Sequence, residues 1–551
     1  MKELVIAISG EAGQGIQTAG NLAAKALFRA GYNVFTDKSY HSRIRGGEYI
    51  YRIRVSEYPV YAMREEVDLV ASLSSVTTDT LERYIHSNTV IVADKEDVGL
   101  KFEPIRINFK ERAKGARNPR TLNTVIVGAI LKALDVPIEI PIQLIKDYFT
   151  SSEQLLESNI KALKNGYEIA LDLSFEEIPK NRESERLLLN GTEGTGLGAI
   201  SAGCRFVSAY PMTPGTGVML FLAKRAEKYS IVVEQAEDEI AAINMAIGAS
   251  FAGVRSMVTT SGGGFALMQE GVSLAGMTET PVVIVDAQRP APATGLPTRT
   301  AQEDLYFVLK SGHGEFPRYI CAPRTSKEAF ELTEKAFYLA DKYQMPAFVL
   351  LSQQLVDSQA TIEPPDHRSE YSKRFLIKSD EGLEYKRYQL TKNGVSPRAI
   401  PGGDAIVRAD SDEHDEYGFI TEDLEIRARM VEKRNKKLES LQKEIASPLT
   451  YNLEADTILV GWGDSWGAID EFARKRNLGY VHYNELYPLN LSIFDQLKNK
   501  RLITVEGNYT GQFAELLASK LCRKVEHIGR YDGRPITANW LDKKLEEVGK
   551  I

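Results

Sequence analysis

Arg205-Phe206-Val207-Ser208-Ala209-Tyr210-Pro211-Met212-Thr213-Pro214-Gly215-Thr216-Gly217 joins a short apolar run to a proline-bracketed turn, followed by a second apolar stretch. It reads as strand, turn and helix. That order places the turn at a strand C-terminus, where open parallel sheets hold their ligands. Pro211 and Pro214 restrict the backbone on either side of Thr213 and would aim its hydroxyl. On spacing alone, a turn whose Thr213 caps a helix accounts for the same residues.

Further strands surround this one at Ile231–Val233, Ser256–Thr259, Pro281–Val285 and Ala347–Leu351, with Ala-rich helical stretches between them. Such alternation predicts a parallel sheet with helices on both faces, a block spanning about 188–360. A first α/β block covers 1–175, with strands at Leu4–Ser9, Val67–Ala71 and Thr89–Ala93 and a helix from Ile16. The polar segment Glu176–Glu183 reads as a linker. Residues 361–450 are charged and poor in long apolar runs, and are expected to form a connecting arm, with disorder as the alternative. The arm ends in a solvated amphipathic helix from Thr421 to Ile445, with Thr421 as N-cap. A third block, 451–551, returns to strand–helix alternation at Thr457–Gly461 and Arg501–Val505. The fold class is therefore multidomain α/β.

Four other stretches could carry chemistry. Glu234-Gln235-Ala236-Glu237-Asp238-Glu239 precedes a helix, where acids favour the dipole; alternatively, one buried carboxylate there hydrogen-bonds a heterocyclic nitrogen. Thr259-Thr260-Ser261-Gly262-Gly263-Gly264 joins strand to helix, and its glycines allow close backbone approach to a ligand. Asp286 to Arg299 forms a long Pro/Gly loop, whose Arg299 could grip a carboxylate through its planar fork or stand as a surface arginine. In the first block, the turn from Gly10 to Gly15 opens a helix whose free N–H groups can meet an anion. His41-Ser42-Arg43-Ile44-Arg45-Gly46-Gly47 follows, with two arginines beside a hydroxyl. Neither a dinucleotide fingerprint nor a P-loop lysine is present, which disfavours a Rossmann dehydrogenase.

The chain has 551 residues, 43% hydrophobic and 26% charged, so three or four soluble domains are expected. A net charge of -7 argues against nucleic-acid binding. No apolar run reaches the ~20 residues of a membrane span. The opening MKELVIAISGEAGQG reads as strand and turn rather than signal peptide, so a cytoplasmic protein is expected. Cys204, Cys321 and Cys522 lie far apart and fall short of the four thiolates that a cubane iron–sulfur cluster usually takes, so they are read as buried or inert.

Together and in this order, these stretches resemble the alpha subunit of 2-oxoacid:ferredoxin oxidoreductases with the gamma domain fused N-terminally, of the 2-oxoglutarate or broad-specificity type. The resemblance covers nearly the whole chain. It is carried by Tyr210–Pro214, Glu237–Ala242, Thr294–Arg299, Gly312-His313-Gly314-Glu315-Phe316-Pro317 and Val505-Glu506-Gly507-Asn508-Tyr509-Thr510-Gly511-Gln512. In the arm, Ser396–Gly402 and Glu413–Gly418 carry it too.

The resemblance implies a gamma domain at 1–175 and a thiamine-diphosphate pyrimidine domain at 188–360. It implies a transketolase C-terminal-like domain at 451–551. A separate beta subunit would carry Mg²⁺ and [4Fe-4S] clusters, passing electrons to ferredoxin within an αβ or (αβ)₂ assembly. The implied reaction is oxidative decarboxylation of a 2-oxoacid to acyl-CoA. The family's catalytic glutamate stands nine residues before a glycine, which selects Glu239 before Gly248 and leaves Glu237 as the alternate. Thr213 and Arg299 would orient the substrate, Tyr210, Pro211, Thr260, Ser261 and Gly262 would line the cofactor, and Gly13, Ser42 and Arg43 would approach coenzyme A.

Two departures stand out: Gly215 replaces the usual serine, and Gly463-Asp464-Ser465-Trp466-Gly467 replaces a Gly-Ser-Thr turn. A pyruvate- or branched-chain-specific enzyme and a non-catalytic scaffold subunit remain as alternative readings.

Overall fold

The computed structural model describes residues 2–41, 47–73, 79–95, 102–115, 121–150, 152–171, 176–181, 185–547 and 549. The chain divides into two compact units, one of 1–189, 357–364 and 537–551, the other of 190–356 and 365–536.

The first unit is built on an eight-stranded sheet. The strand Glu3–Glu11 runs parallel to Leu69–Ser72 and antiparallel to Glu48–Ser56, which pairs in turn with Asn33–Tyr40. These last two strands escape an apolar-run reading because they carry buried charge. Arg52 pairs with Asp37 at 2.7 Å, and Arg54 with Glu3 at 2.5 Å. Buried arginines are tolerated only when so paired. After Glu3–Glu11 the chain turns through Gly13 and Gly15, both at positive φ, into the helix Ile16–Arg29. Asn33–Tyr40 also pairs with Ala360–Ile362, from the segment 357–364 that lies in sequence between the two parts of the second unit.

In the second unit, seven strands stand in the order Glu485–Tyr487, Tyr319–Cys321, Pro346–Ser352, Val282–Gln288, Ser256–Thr260, Phe206–Ala209 and Val232–Gln235. All pair in parallel except the first two. Strands of this sheet are apolar because helices cover both faces. A five-stranded sheet holds Leu449–Tyr451, Gly479–Tyr483, Thr457–Trp462, Arg501–Glu506 and Glu526–Gly529. One apolar core serves both: Val258, Ile284 and Phe348 pack in the same cluster as Val460, Trp462 and Phe513.

The arm is folded. Its helix runs Leu424–Leu441, and Asp423 rather than Thr421 caps it, accepting from the Glu425 and Ile426 N–H groups. Nor is the helix merely solvated, for it buries Met430, Lys433, Arg434, Lys437 and Leu441. Among the described residues no helix is long and apolar enough to cross a membrane. Cys204 and Cys321 are buried, whereas Cys522 is exposed.

Candidate functional site

The C-terminal ends of the central parallel strands carry the motifs read from the sequence. Val232–Gln235 leads into the helix Glu239–Phe251, capped by the Asp238 side chain on the Ala241 N–H. This cap turns Glu239 inward and leaves Glu237 exposed. Glu239 is only 3% exposed, and its Oε1 has no hydrogen-bond partner among the described residues. A buried carboxylate oxygen without a donor is costly, so its surroundings ask for one.

The tri-glycine turn packs directly against it. A Cβ on Gly264 would lie 2.5 Å from Glu239 Oε1 and 2.4 Å from Thr260 Oγ1. Ser261 caps the short helical turn Gly262–Phe265 through its backbone, and its buried hydroxyl has no hydrogen-bond partner among the described residues. Gly263 faces Met212 Sδ and Ala293 O at 4.0 and 3.7 Å from where its Cβ would stand. The Thr213 turn and the 290s loop thus meet over the tri-glycine turn.

Thr213 is exposed at this end of the sheet, with Pro211 and Tyr210, the latter 41% exposed. Gly215 is explained by its neighbour: a Cβ there would stand 2.3 Å from the Thr260 carbonyl oxygen. Arg299 is half-buried at the far end of the 290s loop, its backbone N–H donating to Leu296 O. Gly533 backs it, with space for a Cβ only 3.0 Å from Arg299 Cβ.

Residues that the sequence reading passed over hold this loop. Gln302 Nε2 donates to Trp462 O at 2.9 Å, and its Oε1 accepts the Gly507 N–H at 2.8 Å. Asn508 Nδ2 donates to Gln302 O at 2.9 Å. Glu506 accepts from the Phe513 and Ala514 N–H groups at the start of the helix Gln512–Leu521. The Val505–Gln512 motif is therefore the scaffold on which the Arg299 loop rests. Behind the tri-glycine turn lie Asp286 and Asp304, both buried. Burial pushes the Asp304 carboxyl up to about 7, with Glu303 adding to the shift and Arg289 opposing it. Burial and the neighbouring Asp304 raise the Asp286 carboxyl well above its ordinary value. No periodicity marks either residue; two acids flanking a Pro/Gly loop were the available signal.

In the first unit, Gly13 is exposed with nothing within 4 Å of a Cβ position, while Ser42 and Arg43 lie outside the described residues. From the Gly312–Pro317 motif, His313 to Phe316 line a cavity of about 480 Å³ with Asn244, Glu270 and Arg427, and none of Thr213, Glu239 and Arg299 lines it.

Residues 197–433 match the thiamine-diphosphate-binding family described as pyruvate flavodoxin/ferredoxin oxidoreductase, and residues 5–169 match the pyruvate ferredoxin/flavodoxin oxidoreductase family. The 2-oxoacid:ferredoxin oxidoreductase alpha subunit of Sulfolobus sp is 32% identical, over 98% of this chain and 96% of its own length. This chain belongs to the 2-oxoacid:ferredoxin oxidoreductase alpha subunits. The 2-oxoglutarate synthase subunit KorA of Methanocaldococcus jannaschii is 30% identical over 62% of this chain and 93% of its own. A 2-oxoglutarate:ferredoxin oxidoreductase from Magnetococcus marinus, solved with 2-oxoglutarate, coenzyme A and succinyl-CoA bound, superposes with a TM-score of 0.89 at 30% identity, covering 99% of each chain. As an alpha subunit, this chain is one component of a multisubunit oxidoreductase. Its Glu239 and tri-glycine turn fall inside the thiamine-diphosphate-binding match, and its Gly13 turn inside the other.

Proposed function

We propose that this alpha subunit, with a separate beta subunit, catalyses oxidative decarboxylation of a 2-oxoacid to its acyl-CoA and CO₂, electrons leaving through ferredoxin. The observation that carries the reading is the buried Glu239 Oε1, without a donor among the described residues, at the C-terminal edge of a parallel sheet. A protonated heterocyclic nitrogen is the donor it lacks, and the Cβ-free backbone at Gly264 admits a flat ring beside it. The residues therefore fit the pyrimidine half of thiamine diphosphate, with Thr260, Ser261 and Gly262 as its wall and Tyr210 and Pro211 at the rim. When bound, that cofactor supplies a nucleophilic carbon and an electron sink for decarboxylation.

Glu239 holds a proton on the ring nitrogen, and burial strengthens that contact by excluding water. Thr213 and Arg299 orient the oxo and carboxylate groups of the substrate, the arginine through its planar fork. Gly13, with Ser42 and Arg43, meets coenzyme A. The domain plan is a gamma domain at 1–175, the pyrimidine domain at 188–360, the arm at 361–450 and a C-terminal α/β domain at 451–551. Exposed Tyr210, Ile240, Leu267 and Leu296 lie beside the site residues and suit burial by the beta subunit, which carries Mg²⁺ and the [4Fe-4S] clusters. The assembly is αβ or (αβ)₂ and works in the cytoplasm. The bound 2-oxoglutarate of the Magnetococcus marinus relative favours that substrate here.

The test is viologen reduction driven by 2-oxoglutarate, pyruvate and branched-chain 2-oxoacids, using the co-purified complex. Glu239→Gln should lower turnover by about 10²–10⁴-fold, the range for a lost proton-transfer group. A Glu239→Gln complex as active as the parent would refute the assignment. A complex that assembles but reduces nothing with any 2-oxoacid would favour a scaffold role.

A further inference from the structure

Directly after Arg299, the backbone of Thr300–Glu303 is taken up by residues far along the chain. The Thr300 N–H donates to Gly533 O at 3.2 Å, and the Gln302 N–H to Gly507 O at 2.8 Å. The Gln302 carbonyl accepts from Asn508 Nδ2 at 2.9 Å, and the Glu303 carbonyl from Gln512 Nε2 at 2.7 Å. The Gln302 side chain, only 3% exposed, closes the set. Its Oε1 accepts the Gly507 N–H at 2.8 Å, while its Nε2 donates to Trp462 O at 2.9 Å and approaches Asp464 Oδ1 at 3.3 Å. Gln302 and Gly507 thus exchange two hydrogen bonds, one of them through the side chain. A Cβ on Gly507 would stand 3.1 Å from the Gln302 N, so glycine suits this close approach.

The anchor is itself fixed. Asn508 Oδ1 accepts the Gly511 N–H at 2.8 Å, and its Nδ2 also donates to Glu506 Oε2 at 2.9 Å. Buried Glu506 accepts the Phe513 and Ala514 N–H groups that open the helix Gln512–Leu521. Carboxylate, amide and helix start form one connected network, and a satisfied buried network holds its members to a single geometry. On the far side, a Cβ on Gly533 would stand 3.0 Å from Arg299 Cβ, so the arginine stem is packed as well as its loop tethered.

We propose that Gln302 is a positioning residue: by tying Thr300–Glu303 to Gly507, Asn508 and Trp462, it fixes where the Arg299 guanidinium stands. This rests on Arg299 gripping the 2-oxoacid. The segment Glu506–Gln512 then belongs to the substrate grip without touching the substrate. Misplacing an orienting group by about 1 Å can cost about 10²-fold. Because the arginine meets the substrate on binding, the loss should enter mainly through KM.

The experiment uses the purified complex, with kcat and KM for 2-oxoglutarate measured alongside thiamine diphosphate content. Gln302→Met keeps the side-chain length but strips the Gly507 N–H of its acceptor. KM should rise about 10-fold, kcat moving less, with cofactor content retained. Gln512→Met releases the Glu303 carbonyl and the Tyr306 N–H from a half-buried position. It should raise KM by a smaller factor, and it supplies the test where the Gln302→Met complex does not assemble.

A cycle with Arg299→Met separates positioning from a general structural loss. Substitutions that act through one group share one effect. Either glutamine change, made on the Arg299→Met background, should therefore shift KM by less than about 2-fold further. A loss unrelated to the arginine would multiply in full. The proposal is overturned by a parental KM in the assembled Gln302→Met complex, by full multiplication on the Arg299→Met background, or by thiamine diphosphate lost in step with activity. Arg299→Met alone with a parental KM overturns the underlying reading, and the role of Gln302 with it. Gln302→Met at parental KM beside an impaired Arg299→Met overturns this proposal alone.

Discussion

At the scale of single residues, the site is built from absences. Gly215 and Gly264 lack the one carbon that would push backbone or carboxylate out of place. Gly215→Ser would set a Cβ 2.3 Å from the Thr260 carbonyl, so something must shift. It should destabilise the chain by about 1–3 kcal/mol, the usual cost of overpacking, read as a lower denaturant midpoint. Gly264→Ala would collide with Glu239 Oε1 and Thr260 Oγ1 instead. Its first effect should be weaker thiamine diphosphate retention by the complex, at least 10-fold for a displaced carboxylate contact (roughly 1.4 kcal/mol per decade). Gly264→Ala with unchanged cofactor affinity would show that the carboxylate is not the contact.

At the scale of elements, the arm shows why a charged segment can be ordered. It docks through buried ions rather than through an apolar face. Lys433 and Lys437 of the helix Leu424–Leu441 both pair with Glu279, and all three are essentially inaccessible. Arg387 donates to Gln344 Oε1 and to the carbonyls of Thr278 and Glu279. Asp341 pairs with Arg255, Arg374 and Arg398. Burial disfavours the Glu279 charge, yet the two lysines hold its carboxyl well below the usual range.

Removing one partner of such a set strands the others. Glu279→Gln should therefore cost about 3–5 kcal/mol and expose the arm to protease. Burial also pushes Lys437 down to about 7, below its value of ~10.4 in an unfolded chain. Between those pH values the unfolded chain binds the extra proton, so stability should rise with pH through this window. Lys437→Met should flatten that slope in denaturant titrations at pH 7 to 9.

The same elements show what was legible. The strands flanking Thr213 and the helix at Ile16 follow from apolar runs and glycine turns, which local sterics and burial dictate. Asn33–Tyr40 and Glu48–Ser56 were not legible, since Arg52 and Arg54 break the apolar pattern and their partners are distant in sequence. The folded arm was misread as solvated for the same reason: a lysine looks exposed until its glutamate is found 154 residues away. Of the site, the motifs could be found from order and spacing. Gln302 could not, because its role lies in contacts that only the folded turns create.

At the scale of the molecule, the proposed reaction is divided between two polypeptides. The chain's three cysteines cannot ligate a four-thiolate cluster unaided, and two of them are buried with thiols raised by burial, Cys204 to about 12. The reading of Glu239 as a half-site then has a strict consequence for the isolated chain. One carboxylate contact and a glycine wall can hold a pyrimidine only weakly, since small ligands gain little per contact once lost translational freedom is counted. Thiamine diphosphate should accordingly stay in the free alpha chain at a small fraction of stoichiometry after gel filtration. It should approach one per alpha chain when beta is present, together with iron–sulfur absorbance and 2-oxoacid-dependent viologen reduction. If the free chain retained stoichiometric cofactor through the column, the diphosphate would have to be bound by residues of this chain. The division of the site between two polypeptides would then be wrong.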